Sequence, residues 1–172
     1  MASLMEEFMD VLSKEDSEYQ ILLELSKKKT PIVIKGDIQE LQKITDEEQV
    51  VVDRVSRLDK KREEILNDIA NVINKDVETL KIPVLAEMLK GRPEEVKKLT
   101  AVHDALKETL TELVRINNQN RELIQQSLEM VEFDLNLVQA MRQAPGTGDY
   151  NKGAYNAGNL MGPETSGFDA KQ

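Results

Sequence analysis

The side chains with the most to do in this chain are apolar. Leu128, Met130, Val131, Phe133, Leu135, Leu137, Val138 and Met141 crowd into one short stretch, and on a helix they cover more than one face. The chemistry open to them is association, the burial of apolar surface against a partner. Covalent chemistry has little to work with. His103 is the single histidine, there is no cysteine, and no H-E-x-x-H run, Gly-rich phosphate loop or Cys/His cluster occurs. The acid pairs Glu47–Glu48 and Glu94–Glu95 occupy consecutive positions, which face different directions on a helix. These residues predict a binding protein rather than an enzyme, with no catalytic residue, metal or cofactor.

The apolar stretch must be carried by a helix. From Pro93, with Glu94 and Glu95 complementing the positive helix end, the spacing predicts one helix over 93–142. Its stripe runs through His103, Leu106, Leu110, Leu113, Asn117, Asn120 and Ile124, then Leu128, Val131, Leu135 and Val138. The steps Asn120 to Ile124 to Leu128 are two fours in succession, a slip that relaxes a left-handed supercoil.

Two further long helices are expected before it. The first opens at Ser3 with Glu6 as a capping box, carries Leu4, Phe8, Val11, Leu12, Tyr19, Leu22 and Leu25, and ends or bends at Pro31. Gly36–Asp37 is the breaker, and Asp37 with Glu40 starts the second. Its seam is Leu41, Ile44, Glu48, Val51, Val55, Leu58, Arg62, Ile65, Ile69 and Val72, close to a coiled-coil heptad. A short extra helix is expected over 83–90, stopped by Gly91. The expected fold is all-α: an elongated antiparallel three-helix bundle or coiled coil over 1–143, followed by a disordered tail over 144–172. That tail holds six of the eight glycines, yet also Tyr150, Tyr155 and Phe168.

Polar residues interrupt the seams. Turning the first two helices near Gly36 sets Tyr19 opposite Glu48, and the returning third helix brings Asn117, Asn120 and Arg121 to that level. A hydrogen-bonded polar layer of Tyr19, Glu48, Asn117, Asn120 and Arg121 is expected, fixing register at some cost in stability.

The net charge of −9, from 23 Lys+Arg against 32 Asp+Glu, argues against nucleic acid or an anionic membrane as the main partner. The basic runs Lys27–Lys29 and Lys60–Arg62 are flanked by acids. No segment reaches the length of a bilayer span, and the acidic start lacks the pattern of a signal peptide. Direct membrane insertion is not expected, and a cytoplasmic location is.

Three pieces together carry a family resemblance: the run GDIQELQKITDEEQVVVDRVSRLDKKREEIL, the run INNQNRELIQQSLEMVEFDLNLV, and long helices followed by a Gly/Tyr tail. The chain resembles the FlgN-type flagellar export chaperones over about residues 4–155. The resemblance implies a cytoplasmic chaperone of flagellar type III protein export that takes part in flagellum assembly. Its clients would be terminal segments of hook-associated, hook–filament junction proteins, held unassembled and delivered to the cytosolic domain of the export gate. The client-binding residues expected are Leu128, Met130, Val131, Phe133, Leu135, Leu137, Val138 and Met141, with Ile32 and Ile34 flooring the groove. Tyr150 and Tyr155 are the expected gate-docking anchors. The alternative is a self-associating coiled-coil adaptor that uses the same apolar surface.

Overall fold

The computed structural model describes residues 2–143, and the expected tail from residue 144, with Tyr150 and Tyr155, lies outside them. Four α-helices account for nearly all of it: α1 (Ala2–Lys35), α2 (Ile38–Ile73), α3 (Ile82–Met88) and α4 (Pro93–Gln143). A 3₁₀ turn at Val77–Thr79 precedes α3. The chain divides into two units, Met1–Leu128 and Glu129–Gln172.

In the first unit, α1 and α2 form an antiparallel hairpin. Its turn is built by backbone chemistry at one glycine. Gly36 has φ +69°, a conformation costly for any residue with a Cβ. Gly36 N–H donates to Val33 O at 3.1 Å and Asp37 N–H to Ile32 O at 3.3 Å, the pair of bonds that closes a Schellman cap. Asp37 then caps α2, its carboxylate accepting from Glu40 N–H at 3.0 Å. The Glu40 side chain does not complete a capping box. It accepts from Lys43 instead. Asn74, at φ 52°, repeats the Schellman cap at the other end of α2, with Lys75 N–H donating to Ala70 O.

Three expectations need correction. Helix α1 does not stop at Pro31 but continues to Lys35. Pro31 removes the helix donor to Lys27 O and crowds the preceding turn. Burial of Val33 and packing of Ile32 hold the final turn. Ser3 lies within α1, which already begins at Ala2, so it is not a cap. The short helix starts at Ile82, with Pro83 in its first turn, and ends at Met88.

Two apolar clusters fill the first unit. One joins all four helices through Met5, Phe8, Leu12, Ile69, Leu85 and Leu99. The other joins α1, α2 and α4 through Leu22, Leu25, Ile44, Val51, Leu113 and Ile116. Between them on the α1–α2 interface sits a charged layer. Buried Glu15 accepts from Arg62 Nε at 3.1 Å, and Arg62 also bonds Asp59. Burial opposes the Arg62 charge, but Glu15 and Asp59 more than offset it and hold its pKa above the usual value. Burial also pushes the Glu15 carboxyl above the ordinary carboxylate value of 4.5, which Arg62 counters only in part.

This shift sets a pH dependence. A carboxyl whose folded pKa is raised contributes stability that is fully present below its unfolded pKa and is lost as pH rises through the folded value. Asp10 and Glu112 are held low by Lys14 and Arg115 and act in the opposite sense, so the comparison must be with a variant. Glu15→Gln keeps the shape and an acceptor for Arg62. Relative to Glu15→Gln, the native chain is expected to lose stability as pH rises from about 4.5 toward 7. Urea midpoints of the two proteins across that range check it, and a constant gap between them would show that burial of the carboxylate is not the governing cost.

Candidate functional site

Helix α4 runs antiparallel to α2 and parallel to α1. Thr109 Oγ1 donates to Asp16 at 2.7 Å, Ser26 Oγ donates to Asn117 Oδ1 at 2.9 Å, and Thr30 Oγ1 donates to Asn120 Oδ1 at 2.6 Å. These partners advance together along both helices. The upper α1–α4 seam is thus joined by hydrogen bonds between small polar side chains. Ser26 is only 1% exposed, and Asn120 is buried with both ends of its amide engaged, as buried polar groups require.

Of the residues expected in a polar layer, Glu48, Asn117 and Asn120 come together. They are linked through Ser26, which no seam pattern marked. Lys29 closes the layer with an ion pair to Glu48 at 2.6 Å, both side chains largely covered. Tyr19 and Arg121 make no hydrogen bond in it. Tyr19 packs against the second apolar cluster, and burial pushes its phenol up, with the Glu15 and Asp59 charges adding to the effect. The register explains the difference. Pairing Tyr19 with Glu48 needs a hairpin centred near residue 33 or 34, whereas a turn at Gly36–Asp37 sets Ser26, about two helical turns further on, opposite Glu48. Ser26 and Glu15 gave no signal in sequence, since by type both suit a solvated helix face.

Along α4 the burial pattern changes character. Leu99, Thr109, Leu113, Ile116 and Asn120 are buried, spaced three, four or more apart. From Gln125 to Gln143 every residue is exposed. Within that stretch stand Leu128, Met130, Val131, Phe133, Leu135, Leu137, Val138 and Met141, with Met130 68%, Phe133 65% and Met141 70% exposed. The described part of the second unit, residues 129–143, is therefore helix with an uncovered apolar surface. Single exposed apolar residues are ordinary, whereas here eight stand exposed in one segment. At the hairpin turn Ile34 is exposed, whereas Ile32 packs inward on the second cluster.

Among the described residues, no group of three or more His, Cys, Asp or Glu is placed to hold a metal ion. No described helix is long and apolar enough to cross a membrane. His103 stands beside Asp104 on α4, its ring nitrogen 3.2 Å from that carboxylate.

Such an arrangement, long helices joined by caps and polar seams and one helix left apolar on its outside, is that of an all-helical bundle. The comparison with known families says which: the FlgN protein family model matches residues 1–157. The chain belongs to the FlgN family, a family of flagellar export chaperones. No curated protein and no solved structure matches it significantly.

Proposed function

We propose that this chain is a cytoplasmic chaperone that binds terminal segments of hook-associated, hook–filament junction proteins. It keeps them from assembling early and delivers them to the cytosolic domain of the flagellar export gate. The observation that carries the reading is the uncovered apolar end of α4, from Leu128 to Met141. A disordered segment that forms an amphipathic helix can lay its apolar face there. Each side chain fully buried contributes roughly 1.5–3 kcal/mol, so four or five anchors outweigh the ordering cost of a short segment. Met130 and Met141 are unbranched and adaptable, which suits more than one related client.

Titration of the purified chain with synthetic terminal peptides of junction proteins tests this. Saturable binding of about one peptide per chain supports it, and no binding at millimolar peptide refutes it. Sedimentation equilibrium on the same sample addresses self-association through the same surface: a concentration-independent monomer removes it.

Delivery is assigned to the tail, with Tyr150 or Tyr155 as the anchor on the gate. Tyrosine supplies a large amphipathic contact at low entropy cost. Deletion of residues 145–172 is expected to leave client binding unchanged and to reduce export of the client severalfold in a secretion assay. Unaltered export would count against the tail as the docking element.

A further inference from the structure

Beside the polar layer the first unit carries an open cleft of about 480 Å³. Leu22, Val52 and Ile124 supply apolar wall, and Glu48, Asn117 and Arg121 supply polar wall. Three of the groups in it already accept hydrogen bonds. Asn117 Oδ1 accepts from Ser26, Asn120 Oδ1 from Thr30, and Glu48 from Lys29. Two donors on α4 bond no group of the described residues and are open to solvent: with its oxygen turned to Ser26, Asn117 presents its amide nitrogen, and Arg121 its guanidinium, and both residues are exposed. Asn117 and Arg121 are four apart on one helix, and such positions are neighbours. Five of the seven arginines, at positions 54, 57, 62, 92 and 115, are bonded to acids or carbonyls, and Arg121 is the unbonded one that faces a cleft.

A cleft with apolar walls and a guanidinium and an amide N–H presented side by side suits a ligand with an aliphatic stem and an acceptor head. A carboxylate fits best, because guanidinium and amide donors bond it with charge assistance. Glu48 does not repel it strongly, being paired with Lys29 at 2.6 Å. We propose that this cleft seats a carboxylate of the client segment, its stem against Leu22, Val52 and Ile124 and its oxygens on Asn117 and Arg121. The inference rests on the client-binding reading above and adds to it a specificity-determining contact. Apolar anchoring is tolerant of register, and one charged contact of fixed position supplies it.

The test is peptide affinity by fluorescence anisotropy, using labelled terminal peptides of junction proteins and the full chain. Arg121→Gln removes a side chain without intramolecular partners, so thermal stability should stay as it is while affinity falls roughly tenfold. Arg121→Glu should lower it further, and a peptide whose seated acid is changed to lysine should regain affinity for Arg121→Glu but not for the native chain. Two peptide arms separate the sources of the carboxylate. Loss on amidating the peptide C-terminus assigns the chain-terminal group, and loss on replacing internal acids by glutamine assigns a side chain. If Arg121→Glu binds every peptide as the native chain does while Phe133→Asp does not bind, the cleft assignment is overturned and the client reading stands. If both variants bind like the native chain, the client reading itself falls.

Discussion

Phe133→Asp is expected to abolish binding of a client's terminal peptide while leaving the fold intact. Phe133 is exposed on α4 and belongs to neither apolar cluster, so the packing of those clusters does not depend on its ring. Phenylalanine and aspartate differ little in helix propensity, and a surface change away from caps and cores usually lies within about 0.5 kcal/mol. In a complex the effect is different. The lost ring forfeits roughly 1.5–3 kcal/mol of burial, and the new carboxylate must be desolvated against an apolar partner. A fall in affinity of at least about a hundredfold follows, since 1.4 kcal/mol is a factor of ten. Circular dichroism and a urea midpoint establish the intact fold, and anisotropy reads the affinity. Native affinity in this variant would remove the apolar end of α4 as the binding surface.

The converse is expected of Leu99→Ala. Leu99 lies on the same helix but is 0% exposed, in the cluster shared by all four helices. Truncating a leucine in such a place removes its transfer energy and leaves a cavity, at a cost of about 2–5 kcal/mol. For a chain of this size that lowers the melting temperature on the order of 10 °C. Leu135→Ala, the same substitution on an exposed residue of α4, should change stability by no more than about 0.5 kcal/mol. Urea denaturation of the pair, followed by circular dichroism, checks the contrast. Equal costs would mean that the cluster around Leu99 does not fasten α4 to the other helices.

These two residues also show what sequence can and cannot reveal. The periodicity of α4 and its widening apolar surface were legible because local spacing decides which side chains share a helix face. The hairpin breaker was legible because Gly36 and Asp37 act through their own backbone. The polar layer was legible only in part. Glu48, Asn117 and Asn120 break a seam pattern and so draw notice, but Ser26 is a common surface type whose burial depends on Asn117 and Asn120, some ninety positions away. Glu15 is hidden for the same reason, its partner Arg62 lying 47 residues on. Tyr19 was misplaced by register: with the turn at Gly36–Asp37, Ser26 rather than Tyr19 stands opposite Glu48. Proline disfavours a helix interior, yet the burial of Val33 and the packing of Ile32 carry α1 past Pro31. Arg121 stands beside the layer without joining it, a distinction that only side-chain positions disclose.

The tight cap at Gly36 has a consequence for how the protein is made. It lets α1 and α2 pair through contacts close in sequence, the kind that form fastest. The ribosome therefore releases a hairpin able to fold before α4 is complete, with seconds to spare at roughly 5–20 residues per second. By the time Leu128 to Met141 emerge, Leu113 and Ile116 of the same helix have already left the ribosome and can complete the cluster that α1 and α2 share.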